Sequence, residues 1–296
     1  MLLEQYRKDA ERGNTGPLSG KPISSMRLFI LTFLACTLSM GILVFYITNE
    51  DESYYGEESN AYEFDEGCNV ASIDIHGDIY TYQTEPDDVL LYTEVYSRDV
   101  VNALEEANEN ENIKAILLDI DSYGGIPQAA LEIEEAIQAT EKPSVAWIRA
   151  AGTSAAYWAA TGATTIVASP VSDVGSIGVT QSYIDYAQQN EDSGITFNSL
   201  TTGVLKDVGS REKALTQEEK DYLQKGIEEV LSVFVGVVAE NRKLSKELVR
   251  ELADGSSITG AVAKEKGLVD IVGSKKEVTA ELKRMIGEEP VVCNAG

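Results

Sequence analysis

A single histidine, His76, serves a chain of 296 residues that also holds only three cysteines. A serine hydrolase built on this chain must therefore take its base from His76 or find another side chain, and lysine is the remaining candidate. Three cysteines without a C-x-x-C pair, beside one histidine, leave no His/Cys set for a zinc site, so neither metal nor cofactor is expected. Basic residues are also scarce. Lys and Arg number 24 against 49 Asp and Glu, a net charge of −25 that repels nucleic-acid phosphates and excludes a nucleic-acid partner.

One long stretch has no charge at all. Leu28 to Ile47 reads LFILTFLACTLSMGILVFYI, and at about 1.5 Å per residue it spans the roughly 30 Å hydrocarbon layer. A transmembrane anchor is expected over residues 28–48, contacting lipid directly. Arg7, Lys8, Arg12, Lys21 and Arg27 precede it and no basic residue follows until Arg98, so residues 1–27 are read as cytoplasmic. The expectation is a single-pass protein of the cell membrane with its folded part outside. A cleaved signal peptide is the rival reading; the long leader, the long apolar core and the lack of a small-x-small site oppose it. Residues 49–68 form an acidic linker, residues 69–286 the folded domain, and residues 287–296 a tail. Cys68 and Cys293, near the two ends of that domain, would allow a disulfide, but the reading favours two free thiols.

Within the domain, apolar patterning alternates between the two periods. Strands are expected at Val70–Ile75, Ala115–Ile120, Val145–Ile148 and Ile166–Ala168, with helices at Val89–Ala107, Pro127–Ala139 and Ser154–Thr161. Such alternation implies an α/β domain with parallel strands. Thr216–Arg242, Ser245–Ala253, Ala261–Lys266 and Lys275–Met285 read as helices, making the last third helical.

Two strand-to-helix loops carry the candidate chemistry. Asp121-Ser122-Tyr123-Gly124-Gly125 leads into the Pro127 helix, where outward backbone N–H groups could hold a developing oxyanion; a structural turn is the plainer reading. Gly152-Thr153-Ser154 places a hydroxyl at the next helix entrance, where Ser154 could equally be an N-cap. Lys206 lies in Thr201-Thr202-Gly203-Val204-Leu205-Lys206, whose apolar flank could partly bury and neutralise the amine; a surface charge is the alternative. His76, Trp147 and Tyr157 are read as structural.

The ordered set AILLDIDSYGG, AAGTSAAYWAA, GSIGV, the Lys206 loop and ITGAVAKEKGLVD resembles the signal peptide peptidase family of membrane-anchored Ser-Lys dyad serine proteases, in its short single-repeat form. The resemblance runs from about Val70 to Gly273 and implies a crotonase-like, Clp-protease-like fold of repeated ββα units. It implies Ser154 as nucleophile, Lys206 as general base and Ser176 as the hydroxyl orienting the amine; backbone amides of Gly125 and Ala155 are assigned to the oxyanion hole. It further implies hydrophobic or unfolded peptides as substrates, among them remnant signal peptides, and a homo-oligomeric ring whose dyads are shared between subunits. Two departures stand out. The family's Ser-Gly-Gly is Ser154-Ala155-Ala156 here, and Tyr123 replaces a proline, so a positive φ at 155 or 156 would strain the loop. A catalytically weak ring scaffold and an acyl-CoA-processing crotonase-type enzyme are the two competing readings.

Overall fold

The computed structural model describes residue 64, residues 67–83 and residues 93–294. The expected cytoplasmic segment, the anchor at 28–48 and most of the acidic linker lie outside the described residues. Among those described, no helix is long and apolar enough to cross a membrane.

The domain is mixed α/β. Its strands are β1 (Val70–Tyr80), β2 (Glu94–Tyr96), β3 (Ala115–Gly125), β4 (Ser144–Thr153), β5 (Thr165–Ala168), β6 (Asp173–Gly175), β7 (Ser257–Thr259), β8 (Ile271–Val272) and β9 (Val292–Asn294). The helices are α1 (Ser97–Glu109), α2 (Pro127–Ala139), α3 (Ala155–Ala160), α4 (Ala187–Asp192), α5 (Gln217–Arg242), α6 (Lys246–Leu252), α7 (Gly260–Glu265) and α8 (Lys275–Ile286). One sheet runs β2-β1-β3-β4-β5-β8, with β9 beside β1, β6 beside β4 and β7 beside β6. Every pairing is parallel except β6 with β7.

A parallel sheet must be covered on both faces, because each crossover lays a helix on it. Ile73, Ile75, Leu118, Ile120, Ala146, Ile148 and Ile166 point to one face, under Leu104 of α1, Ile133 of α2 and the small residues of α3. Phe234, Val235 and Val238 of α5 close the same cluster. The alternate positions Val70, Leu117, Val145 and Val167 face the other way, against Val278 and Leu282 of α8. Phe64, expected in the linker, is buried in the first cluster.

Helix starts follow local chemistry. Pro127 occupies the first turn of α2, where its missing N–H costs nothing. Thr216 with Glu219, and Ser274 with Glu277, form reciprocal capping boxes at α5 and α8.

The expected free tail joins the sheet. Val292–Asn294 pairs with Val70–Ser72, and Asn69 accepts the Val291 N–H at 2.8 Å while donating to Glu288 at 2.7 Å. Cys68 and Cys293 form a disulfide with Cα atoms 5.9 Å apart. That corrects the expectation of free thiols: pairing β9 with β1 brings residues 225 apart in sequence into bridging range.

Candidate active site

The candidate site is assembled where β3, β4 and β6 end. Ser154 sits between β4 and α3 with φ 52 and ψ −125, a conformation that L residues other than glycine seldom adopt. Several ties hold it there. Its N–H donates to the Gly175 carbonyl at 2.7 Å, and its carbonyl accepts the Trp158 N–H at 2.9 Å. Next to it, the Thr153 hydroxyl donates to the Tyr123 carbonyl at 3.0 Å, fastening β4 to the glycine loop. A sharp strand-to-helix turn of this kind lifts a hydroxyl clear of its helix and leaves the first helical N–H groups without intrahelical acceptors.

The strain falls on Ser154 itself. Ala155 and Ala156 are the first helical residues of α3 and neither has positive φ, so their methyl groups do not oppose the turn.

The facing loop is set by Ser122, whose buried hydroxyl donates to the Gly77 carbonyl at 2.6 Å and accepts the Gly124 N–H at 3.1 Å. Gly124 has φ +117, and a Cβ there would lie 2.8 Å from the Ser154 Cβ and 3.0 Å from the Ala155 nitrogen. The Gly124 N–H is thus committed within its own loop, whereas the expected oxyanion donors are Gly125 and Ala155. Both border the groove beside Ser154.

That groove has a volume of about 400 Å³. Ser154, Ser176, Gly125 and Ala155 edge it, while Trp158, Ile227, Leu231 and Phe234 supply an apolar wall. Ser176, also at positive φ (50), donates its hydroxyl to the Gly255 carbonyl at 2.8 Å. With its proton committed, the Ser176 oxygen is left to accept, which suits it to meet an amine.

Lys206 is not with them. Within one protomer it is exposed on the loop before α5 and does not border the groove. Its neighbour Asp207 is held by Lys213 at 3.0 Å, and Lys213 also reaches Glu219 of the α5 capping box at 2.5 Å. A hydrogen bond from Ser199 and the Lys213 contact hold the Asp207 carboxyl below its usual range; Glu219 is lowered chiefly by Lys213, whose own pKa is raised. No Lys, Arg or His is among the described residues lining the groove.

The residues read as structural make structural contacts. The Tyr157 hydroxyl donates to the Leu268 carbonyl at 2.9 Å, and burial raises its pKa. Trp147 lies under Arg149, which pairs with Asp119 at 3.0 Å; His76 approaches the same carboxylate at 3.3 Å. Asp74, His76 and Asp119 could converge on a cation, but Arg149 already neutralises Asp119. Sequence reasoning missed the groove wall. The only available signal was the apolar spacing of Ile227, Leu231 and Phe234 on a helix otherwise rich in charge.

A hydroxyl on a strained strand-to-helix turn at the edge of an apolar groove fits the class of serine acyl-transfer enzymes. Residues 136–287 match peptidase family S49, and the chain belongs to that family, a serine peptidase by class. It is 30% identical over 268 residues to a protein of Methanocaldococcus jannaschii that carries a provisional protease name, covering 90% of this chain and 83% of that one. A signal peptide peptidase SppA of Enterococcus faecium, also provisionally named, is 30% identical over 63% of this chain and 55% of its own. Protease 4 of Salmonella typhi is 31% identical over 73% of this chain but only 34% of its own. The chain thus spans about half of the second relative and a third of the third.

Proposed function

We propose that this chain is a membrane-anchored endopeptidase in which Ser154 attacks the scissile carbonyl and Lys206, supplied by a neighbouring copy, acts as general base. The carrying observation is the backbone of Ser154, a strained turn held by three hydrogen bonds, to Gly175, from Trp158 and between Thr153 and Tyr123, and set against a groove. In the acylation step the Ser154 proton passes to the neutral lysine amine as the Oγ–C bond forms. The oxyanion takes hydrogen bonds from Gly125 and Ala155. Collapse breaks the C–N bond, the lysine returns the proton to the leaving amine, and water then hydrolyses the ester by the same base.

Two observations support a shared dyad. The groove holds no lysine or histidine of its own among the described residues, only the carboxylates Glu228 and Asp254, and the segment preceding Lys206 exposes Ile184, Ile195, Phe197, Leu200 and Val204, an apolar surface that favours contact with another copy. The reading is a homo-oligomeric ring; an exported domain fully active as a monomer contradicts it. The anchor at residues 28–48 would hold the ring at the bilayer, extracytoplasmic side, where hydrophobic peptides such as remnant signal peptides are concentrated. A disulfide fits an oxidising compartment. The scaffold alternative drew its support from the two alanines, and the helical placement of both without positive φ speaks against strain there.

The test is labelling of the full chain with a serine-directed phosphonate, alongside turnover of unfolded apolar peptides. Labelling is expected in the wild type and absent in Ser154→Ala, with turnover lost in both Ser154→Ala and Lys206→Ala. Equal turnover in the variants excludes the dyad.

A further inference from the structure

We propose that Glu228 and Asp254 make this groove select apolar peptides that carry a lysine or arginine close to the scissile bond. The inference rests on the groove beside Ser154 being the substrate groove, and it names the substrate class of that site. Both carboxylates line the groove, and among the described residues no Lys, Arg or His does. They come from different elements, α5 and the loop before β7. Glu228 lies one helical turn from Gln224 and from Leu231, so it shares the helix face that forms the apolar wall. Gln224 donates to its Oε1 at 3.2 Å, which steadies the side chain and leaves the other oxygen to a ligand.

Asp254 is placed by the site itself. The Ser176 hydroxyl donates to the Gly255 carbonyl at 2.8 Å, the Gly255 N–H to the Ile177 carbonyl at 3.2 Å, and the Ser176 N–H to the Ser256 carbonyl at 3.1 Å. Residues 254–256 are thereby fastened to the segment that carries Ser176. The Asp254 Oδ1 accepts the Ser256 hydroxyl at 2.6 Å and its N–H at 2.9 Å, and these bonds hold the carboxyl below its usual range, so it is ionised at neutral pH. Neither groove carboxylate has an ion-pair partner among the described residues, whereas Asp119, Asp207, Glu219 and Asp270 each have an Arg or Lys within 3.0 Å. The lysine expected from a neighbouring copy does not fill this role, because it works as a neutral amine and offsets no charge. A concave surface lined by one sign of charge focuses its field, so the fitting counter-charge is a cation on the peptide. Ile227 and Leu231 would lie along the methylene stem of that side chain while its head meets the carboxylates. Two partly solvated pairs should favour lysine over norleucine about tenfold in kcat/KM.

Two measurements on the full chain in nonionic detergent test this. In the first, peptides of one apolar sequence carry Lys, norleucine or Glu either beside the cleaved bond or at a remote end. Lysine beside the bond should be preferred about tenfold over norleucine, with Glu slowest, and the preference should shrink toward unity in about 1 M salt and at the remote position. Glu228→Gln and Asp254→Asn keep the side-chain shapes, and each should lower the preference about threefold. Glu229→Gln removes the same charge one residue further along α5, from a side chain that pairs with Lys225 at 3.7 Å outside the groove, and should leave the preference intact. Equal rates for Lys and norleucine in the wild type, a preference that survives both groove substitutions, or an equal fall in Glu229→Gln overturns the proposal. In the second, the same peptides are titrated onto Ser154→Ala protein. Tighter binding of the Lys peptide is expected, and equal Kd values for Lys and norleucine overturn the proposal. Because this reads binding, it decides the matter even if nothing is cleaved, whereas cleavage undiminished by Ser154→Ala would remove the nucleophile reading instead.

Discussion

At Ser154, a backbone conformation that costs on the order of 1–3 kcal/mol is kept because Gly175, Trp158, Thr153 and the Gly124 loop all hold it. The loop can come so close only because residue 124 has no side chain. Gly124→Ala would put a methyl 2.8 Å from the Ser154 Cβ and hold alanine at φ +117. It should lower stability by about 1–3 kcal/mol in denaturant titrations and reduce kcat about a hundredfold, since an ångström of displacement at a nucleophile costs that much. A variant that keeps wild-type kcat would mean that the loop does not position the site. The hydroxyl and the glycines could be read from sequence, because strand-to-helix loops are marked by their residues. Which residue takes the positive φ could not, because that is fixed by the tie to Gly175, 21 residues away in a strand of three residues.

Elements with strong periodicity were legible and those without it were not. Pro127–Ala139 and the long helix after Thr216 match their expected bounds, the first by its N1 proline and the second by its capping box. The strands β1, β3 and β4 run past Ile75, Ile120 and Ile148 into polar, glycine-bearing residues, where register shifts break the alternation. Strands β2, β6, β7, β8 and β9, of two or three residues each, carry no period to read. The packing of α2 on α5 yields its own prediction. Glu134, only 4% exposed, accepts from Gln138 and Asn241 at 2.6 Å each, and burial is the main cause that raises its pKa above 4.5. A carboxyl with a raised folded pKa is most favourable when protonated, so its contribution to stability falls as pH rises from the unfolded value through the folded one. Glu134→Gln keeps an acceptor oxygen without the charge. It should gain stability over wild type at pH 8 and lose that advantage toward pH 4, compared by denaturant titration at both; a variant less stable at pH 8 would show that the network needs the anion.

For the whole molecule, the Cys68–Cys293 bond closes a loop of 225 residues and locks β9 against β1. Cys293→Ser should cost about 2–5 kcal/mol of stability, read from denaturant midpoints with and without reductant; the wild type should show the same loss on reduction and the variant none. Peptidase activity at ambient temperature should persist, because the bond lies at the opposite end of β1 from the Gly77–Ser122 contact. Assembly makes the stronger demand. If serine and lysine come from different copies, Ser154→Ala and Lys206→Ala subunits are each inactive alone, yet a site that joins the serine of one to the lysine of the other is complete. After unfolding and refolding together in equal amounts, random assembly leaves roughly a quarter of the sites with both groups, so about a quarter of wild-type turnover should return. A dyad within one protomer predicts no recovery at any ratio, because every subunit lacks one of the two groups. Turnover measured against mixing ratio separates the cases: a shared dyad gives a curve that peaks at equal amounts and vanishes at both ends, and a flat line at zero, with the mixed subunits assembled to the size of the refolded wild type, removes the shared site.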